Sequence, residues 1–124
     1  MAPSEAAGNR QGYRTVLLAR FSALGDVAMT VPVVYSACRC YPDVRFVLLT
    51  RPSMTSIFVD APSNLTVVGA DVKTEYKGVG GIRRLAADMV ADYSPDVFVD
   101  LHNVLRTRLL SVFLRMSGIR TARI

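Results

Sequence analysis

The fold of this chain is decided by one stretch, Arg20-Phe21-Ser22-Ala23-Leu24-Gly25-Asp26-Val27. The run before it, Val16-Leu17-Leu18-Ala19, is apolar throughout, which is typical of a strand buried on both faces. After it, apolar residues recur at three- and four-residue steps and predict a helix. The stretch is therefore predicted to be a strand-to-helix turn with one glycine and one carboxylate. In an open α/β sheet, such a turn lies at the edge where ligands bind.

Strand and helix patterns alternate along the rest of the chain. Strands are predicted at Thr15–Phe21, Val44–Thr50, Leu65–Val68, Asp96–Leu101 and, as the start of a fifth, Arg120–Ile124. Helices are predicted at Asp26–Tyr41, Met54–Val59, Ile82–Tyr93 and Val104–Met116. This alternation predicts parallel βαβ units, and so a Rossmann-like parallel α/β sheet with helices on both faces in residues 15–124. Residues 1–14 are predicted to form a loose N-terminal tail.

Three of these helices have an apolar face. The stripe on the first helix contains Val27, Val31, Val34, Cys38 and Tyr41. Pro32 lies inside that helix and lacks the amide that would bond to Ala28, so we expect a kink there or a new start with Thr30 as N-cap. The face of the third helix contains Ile82, Leu85, Ala86, Met89, Val90 and Tyr93. The face of the last helix contains Leu105, Leu109, Val112, Phe113 and Met116. Because Leu110 and Leu114 fall outside this last face, we expect further protein to pack against the helix.

The composition is that of an ordinary globular domain. Of the 124 residues, 51% are hydrophobic and 20% are charged, and the formal net charge is +5. No apolar run approaches the roughly 20 residues that span a bilayer, and the segment Met1 to Gly12 lacks the apolar core of a secretory signal. The charge is compatible with an anionic partner (a phosphate, an acidic lipid surface or nucleic acid) and equally with a mildly basic surface. Cys38 and Cys40 lie two residues apart on a helix, so they are predicted to be free thiols.

Asp26 is the candidate for chemistry, although an aspartate at a helix start commonly caps free amides. Its turn follows one strand, and a second polar turn, His102-Asn103, follows the fourth strand. In the usual doubly wound order these two strands are neighbours, so the two turns would line one crevice. A phosphate cradle fits poorly, because Gly25 is the only glycine of this turn and a carboxylate occupies the place of the phosphate. A carboxylate there can instead accept a proton from a neutral hydroxyl.

Other polar residues near this crevice are candidates for binding. His102, the only histidine, either orders its own turn or contacts a substrate. Arg20, Arg51, Arg106 and Arg108 are the cations nearest to the predicted crevice. Arg106 lies in the first turn of its helix, where the helix dipole disfavours a cation, and this conflict favours a role in ligand binding. Arg108 is predicted to be a solvated surface side chain.

Two motifs resemble those of the heptosyltransferases of glycosyltransferase family 9. The first runs from Leu17 to Val27 and continues with Thr30-Val31-Pro32. It is similar to that family's opening, which is an apolar strand, Arg or Lys, Ser-x-Leu/Met-Gly-Asp-Val and then Thr-x-Pro. The second is Asp96-Val97-Phe98-Val99-Asp100-Leu101-His102-Asn103-Val104-Leu105-Arg106-Thr107. It resembles the family's Tyr-Asp-Leu-Val-Ile-Asp-Leu-His-Gly-x-Leu-Arg-Ser, with Asn103 where the family often has glycine. Together the two motifs extend the resemblance over most of residues 15–124.

The resemblance implies the N-terminal half of a GT-B glycosyltransferase without its donor-binding half, so we expect this chain alone to be inactive. It implies inverting, metal-independent transfer of heptose from ADP-heptose to the inner core of lipopolysaccharide, with no cofactor. Asp26 would be the catalytic base. The substrate-binding residues would be Arg20, Ser22, Gly25, Arg51, His102, Asn103 and Arg106. Such an enzyme would be cytoplasmic, would touch the anionic face of the inner membrane at most peripherally, and would bind no nucleic acid.

Two other classes of function compete with this one. A non-enzymatic α/β module could bind an anionic partner through its arginines, with a salt-sensitive affinity if that partner is nucleic acid. No stripe of aromatic and basic residues supports it. A nucleotide-binding regulator of flavodoxin-like shape would need a cluster of acids after the first strand, where Asp26 stands alone.

Overall fold

The computed structural model describes residues 14–21, 24–102 and 104–123, which form one sheet of five parallel strands. The strands are β1 (Thr15–Ala19), β2 (Arg45–Thr50), β3 (Leu65–Gly69), β4 (Val97–Asp100) and β5 (Arg120–Arg123). The α-helices of these residues are α1 (Leu24–Cys40), α2 (Gly78–Tyr93) and α3 (Leu105–Met116), and a 3-10 helix (Pro52–Ile57) follows β2. The strand order is β3-β2-β1-β4-β5. This confirms the predicted Rossmann-like α/β fold.

The register of the central strands brings two turns together. Ala19, the last residue of β1, pairs with Leu49 of β2 on one side and with Asp100 of β4 on the other. The connections that follow β1 and β4 therefore leave the sheet at the same level and side by side. This is the neighbourhood that the sequence predicted for the turns at Asp26 and His102.

Helices cover both faces of the sheet, as predicted. One apolar core lies between the sheet and helices α2 and α3, and its members include Leu17, Phe21, Leu49, Leu85, Phe98, Leu110 and Leu114. The other lies between the sheet and α1 with the 3-10 helix, and its members include Leu18, Val27, Val34, Cys38, Leu48 and Met54. Side chains alternate between the two faces along each strand, so consecutive residues of β1 enter different cores.

The first helix differs from its prediction at both ends. α1 begins at Leu24 rather than Asp26 and runs without a new start through Pro32 to Cys40. Thr30 does not cap a second helix, because its hydroxyl donates to the carbonyl of Asp26 one turn earlier, at 2.8 Å. Tyr41 lies outside the helix and is 61% exposed, so it does not belong to the buried stripe.

The last helix buries a different face from the predicted one. Leu110 and Leu114 are fully buried, whereas Leu105 is 83% exposed and Met116 is also exposed. The buried positions include two small hydroxyl residues, Thr107 and Ser111. The Thr107 hydroxyl accepts from the Val104 amide and donates to the Val104 carbonyl, and the Ser111 hydroxyl donates to the Thr107 carbonyl. These bonds satisfy the hydroxyls within the helix, so a face with fewer apolar residues can pack against the sheet.

Two other helical segments also have shifted boundaries. α2 begins four residues earlier than predicted, because Gly78 to Gly81 belong to its first turn rather than to a loop. The segment after β2 is a 3-10 helix that ends at Ile57, so Val59 lies outside it. Arg83 and Arg84 of α2 are exposed.

The start of the sheet is fixed by one carboxylate. The Oδ2 atom of Asp96 accepts from the backbone amides of Arg14 and Thr15, at 2.7 and 2.9 Å. The Asp96 amide in turn donates to the Thr15 carbonyl, at 2.8 Å. Arg14, which the sequence placed in the tail, is therefore bonded to the domain through its backbone, and the rest of that predicted tail lies outside the described residues.

Two further predictions concern the cysteines and membranes. Cys38 is buried, Cys40 is exposed, and both are free thiols, as expected from their spacing. Among the residues that the structure describes, none of the helices has the length and apolar character needed to cross a membrane.

Candidate functional site

Asp26 lies at the carboxyl edge of the sheet, in the first turn of α1. Its side chain is 59% exposed, so its carboxylate is open to solvent and to a ligand. Gly25, just before it, is exposed, and a Cβ atom at that position would meet no other atom within 4 Å. The fold itself therefore does not require glycine beside this carboxylate.

Arg20 holds the Asp26 carboxylate in place. The Arg20 amide donates to the Leu49 carbonyl at 3.0 Å and so extends the β1–β2 ladder by one residue. Its side chain is 20% exposed and points across the end of β1. The Nη2 atom lies 3.0 Å from the Asp26 Oδ2 atom, and the Nη1 atom donates to the Leu101 carbonyl at 2.6 Å. One guanidinium thus joins the turn after β1, the helix α1 and the turn after β4.

His102 is joined to the same turns by its backbone and its ring. The His102 amide donates to the Oδ1 atom of buried Asp100 at 2.8 Å. The Nδ1 atom of its ring accepts from the Phe21 amide at 3.4 Å, so the neutral ring carries its proton on Nε2. Burial lowers the pKa of His102 below the usual 6.5, and the charges of Arg20 and Arg106 lower this pKa further, against the opposing effect of Asp100 and Asp26. The imidazole is therefore neutral at pH 7.

Arg106 lies beside an open depression between the first turns of α2 and α3. This depression has a volume of about 400 Å³, and its other lining residues are Gly78, Val79, Ile82, Val104, Leu105 and Leu109. The helix starts provide backbone amides and a partial positive charge at this edge of the sheet. Together with the Arg106 guanidinium, they favour an anionic group with apolar neighbours.

Arg51 lies apart from these residues, after β2. It lines a depression of about 270 Å³ together with Pro52, Ser53, Asp71 and Lys73. The Asp71 carboxylate accepts from the amides of Lys73 and Thr74, at 3.0 and 3.2 Å. Arg51 and Lys73 present two cations beside one acid, which suits a negatively charged ligand group.

The structure brings some of the predicted site residues together and separates others. Arg20, Asp26 and His102 belong to one connected set at the ends of β1 and β4, with Gly25 beside it. Arg106 lies close enough for its charge to act on His102, whereas Arg51 lines the separate depression. Ser22 and Asn103, two of the predicted substrate-binding residues, lie outside the described residues. Arg108 is exposed, as expected for a surface side chain.

Sequence reasoning missed three contributors to this edge. Asp100 supports the His102 turn from a fully buried position, and the signal was an acid at the end of an apolar strand, two residues before the turn. Lys73 joins Arg51 in the smaller depression. Thr50, the last residue of β2, is completely buried, and no residue pattern distinguished it from an ordinary strand position.

The described residues of the site form no cluster of metal-binding side chains. Among the described residues, no three His, Cys, Asp or Glu side chains converge so that they could hold a metal ion. The arrangement that is present, an exposed carboxylate paired with an arginine and near a neutral imidazole, is suited to hydrogen bonding and proton transfer with a hydroxyl ligand.

Comparison with known proteins identifies relatives by structure only. No protein-family model matches the sequence, and no curated protein does. Among solved structures, a glycosyl transferase family 9 protein from Veillonella parvula is similar, with a TM-score of 0.75 and 17% identity over 90% of this chain and 36% of that chain. E. coli heptosyltransferase WaaC with ADP has a TM-score of 0.58 and 17% identity over 88% of this chain and 33% of that chain.

The same fold also occurs outside the glycosyltransferases. A UDP-N-acetylglucosamine 2-epimerase has a TM-score of 0.62 and 12% identity over 90% of this chain and 33% of that chain. The chain therefore spans about a third of the length of each of these three structures. At these identities the likeness concerns the fold. This chain thus has the Rossmann-like α/β fold that occurs in GT-B glycosyltransferases, including a family 9 protein and a heptosyltransferase.

Proposed function

We propose that this chain is the acceptor-side domain of an inverting, metal-independent glycosyltransferase of the heptosyltransferase type. The donor would be ADP-heptose and the acceptor the inner core of lipopolysaccharide. Three independent observations support the proposal: the motifs around Asp26 and His102, the fold shared with a family 9 protein, and the placement of Asp26. The third carries it, because an exposed carboxylate lies at the carboxyl edge of β1, held at 3.0 Å by Arg20.

In the proposed reaction, Asp26 is the general base. Its carboxylate takes the proton of an acceptor hydroxyl while the hydroxyl oxygen bonds to the anomeric carbon of heptose. The bond from that carbon to the diphosphate breaks at the same time, and ADP leaves with the bonding electron pair. A carboxylate is a weak base, but it suffices where the leaving group departs early and the hydroxyl becomes acidic only in the transition state. The proton then passes from Asp26 to water.

The basic residues of the carboxyl edge would hold the acidic acceptor. The inner core carries phosphates and carboxylates, which guanidinium groups bind through charge-assisted hydrogen bonds. Arg106 and Arg51 line two depressions at this edge, and we assign each of them to one anionic group of the acceptor. His102 orders its own turn through Asp100 and Phe21. As a neutral ring it could also donate from Nε2 to an acceptor hydroxyl.

The remaining parts of the proposal concern what lies around this domain. Because the chain spans about a third of the similar transferases, we propose that a second Rossmann-like domain binds the donor. The reaction would take place in the cytoplasm, where the acceptor is presented at the anionic face of the inner membrane. The proposal involves no cofactor and no nucleic acid.

The test separates acceptor binding from transfer. The 124-residue chain, labelled with ¹⁵N, is titrated with the deacylated inner-core saccharide and observed by NMR. We expect saturable shifts at the amides of Gly25 and Asp26, and none at Asp43 on the opposite edge. We also expect no turnover when the chain alone is given ADP-heptose and this acceptor. Failure to bind the saccharide would contradict the acceptor assignment, and turnover by the chain alone would contradict the need for a second domain.

A further inference from the structure

Two buried polar atoms at the carboxyl ends of β1 and β2 have no hydrogen-bond partner among the described residues. They are the Nε atom of Arg20 and the Oγ1 atom of Thr50. Thr50 is completely buried, so solvent does not satisfy its hydroxyl either. Buried polar groups are normally paired, and leaving one unpaired lowers stability, so two of them at one place need an explanation.

These two side chains are neighbours across the β1–β2 ladder. Ala19 pairs with Leu49, and the Arg20 amide continues the ladder to the Leu49 carbonyl, so Arg20 lies beside Thr50. Leu18 and Leu48, two residues earlier in each strand, belong to the core under α1. Because side chains alternate, Arg20 and Thr50 also face α1. Adjacent strands are about 4.8 Å apart, which lies within the reach of an arginine side chain.

The Arg20 guanidinium is turned away from this neighbour. It contacts the Leu101 carbonyl, which follows β4, and the Asp26 carboxylate. Since β1 lies between β2 and β4, Thr50 is on the opposite side of Arg20 from Leu101. The ion pair therefore leaves the Nε–H group and the Thr50 hydroxyl unpaired on the other side.

We propose that Arg20 moves between two positions and that the Thr50 hydroxyl is its partner in the second one. This inference rests on the proposed function, because Asp26 loses its negative charge, and with it the ion pair to Arg20, as it takes the acceptor's proton. As this charge is lost, the guanidinium turns towards β2 and donates to Thr50. Thr50 is thus a positioning residue that acts through Arg20.

The energetics permit such a movement. The ion pair involves a largely exposed carboxylate, and exposed ion pairs contribute little to stability. The second position satisfies a buried hydroxyl and a guanidinium donor that the first leaves unpaired, which offsets the loss of the ion pair and of the Nη1 bond to the Leu101 carbonyl. The two positions can therefore be close in free energy, so that a ligand selects between them.

A double-mutant cycle in the 124-residue chain, measured by urea denaturation, tests this without any substrate. Thr50→Val removes an unpaired hydroxyl from the wild type, so the urea midpoint should stay or rise. In Asp26→Ala, Arg20 is released to bond Thr50, so the same change should lower the midpoint. We expect the effects of Thr50→Val on the folding constant to differ about fivefold between the two backgrounds. Thr50→Ser keeps the hydroxyl and should show no such difference. Equal effects of Thr50→Val in both backgrounds would overturn the proposal.

A second measurement does not depend on the stability of the variants. Exchange of the Arg20 Nε proton with water, observed by NMR, should slow in Asp26→Ala and return to its wild-type rate in Asp26→Ala/Thr50→Val. An unchanged exchange rate in Asp26→Ala would also overturn the proposal.

The consequence for transfer is measured in a polypeptide that joins this chain to a donor-binding domain. Thr50→Val should lower kcat about fivefold at unchanged KM, and Thr50→Ser should restore it. A wild-type kcat in Thr50→Val would refute the role in catalysis. Survival of transfer in Asp26→Asn would instead refute the proposed function, so the two failures are distinguishable.

Discussion

The Nη2 atom of Arg20 lies 3.0 Å from the Oδ2 atom of Asp26, and this ion pair joins the end of β1 to the first turn of α1. The same guanidinium donates to the Leu101 carbonyl after β4. Arg20 therefore sets the position of the carboxylate relative to the ends of β1 and β4. It was predicted as a substrate-binding residue, and its contacts here are with the protein's own turns.

Gly25 provides a test of close ligand approach. Because an added Cβ atom would meet nothing within 4 Å, Gly25→Ala should preserve the fold. Alanine is the better helix former, so the free energy of unfolding should stay or rise by up to about 1 kcal/mol. If the acceptor passes over Gly25 to reach Asp26, affinity for the inner-core saccharide should fall at least tenfold. Wild-type affinity in a stably folded Gly25→Ala, measured by calorimetry, would show that the acceptor does not pass there.

Gly81 and Gly80 form a matched pair in the first turn of α2. A Cβ atom on Gly81 would overlap the backbone of Tyr76, whereas one on Gly80 would meet no atom within 4 Å. Gly81→Ala should therefore lower the free energy of unfolding by about 1–3 kcal/mol, the usual cost of overpacking. Gly80→Ala should leave it unchanged or raise it. Urea denaturation of both variants checks this, and equal effects would contradict the described packing of α2.

The sequence predicted the architecture because its signals were local and strong. Apolar runs bounded by polar turns identified the strands, and the three- and four-residue steps on α2 identified its buried face, including Ile82, Leu85 and Met89. The face of α3 could not be predicted in this way. Its buried positions include Thr107 and Ser111, whose hydroxyls are satisfied by bonds inside the helix, and hydropathy alone does not reveal such bonds.

The candidate site was predictable in its place but not in its contacts. The order of strands and turns placed Asp26 near His102, because parallel strands end at one edge. The pairing of Arg20 with Asp26 depends on side-chain geometry across a turn, which residue spacing does not encode. The same holds for Asp100, whose buried carboxylate accepts from the His102 amide.

Asn64 should be a strong local determinant of stability. Its side-chain nitrogen donates to the carbonyls of Cys38, Tyr41 and Val44, at 3.0, 3.2 and 2.9 Å, and so ties the end of α1 to the start of β2. Asn64→Asp replaces the donor by an acceptor that faces three carbonyls, so stability should fall by about 1–3 kcal/mol. The neighbouring exposed Ser63→Ala should change it by less than about 0.5 kcal/mol. A urea midpoint unchanged in Asn64→Asp would argue against these bonds.

His102 should make the folded state sensitive to mild acid. Burial and the two nearby arginines lower its pKa in the folded protein below the usual 6.5. Well above pH 6.5 the ring is neutral in both the folded and the unfolded protein, so its titration takes nothing from the free energy of unfolding. As the pH falls below 6.5, the unfolded chain binds the proton before the folded protein does, so the free energy of unfolding decreases. The decrease ends once the pH is below the pKa of His102 in the folded protein.

This pH dependence can be assigned because the chain has one histidine. The urea midpoint of the wild type should fall between pH 7.5 and 5, and that of His102→Gln should fall less. An NMR titration of the ring should give a pKa below 6.5. A titration above 6.5, or a wild-type midpoint that rises on acidification, would contradict the described surroundings of the ring.

The most direct test of the account replaces the proposed base. In a polypeptide that joins this chain to a donor-binding domain, Asp26→Asn should reduce heptose transfer by about 10²- to 10⁴-fold, the usual contribution of a general base. Acceptor affinity and the urea midpoint should change little, because the side chain is 59% exposed. Asp43→Asn, an exposed aspartate at the opposite edge, should transfer at the wild-type rate. Transfer by Asp26→Asn at a rate near that of the wild type would contradict the assignment of Asp26 as the base.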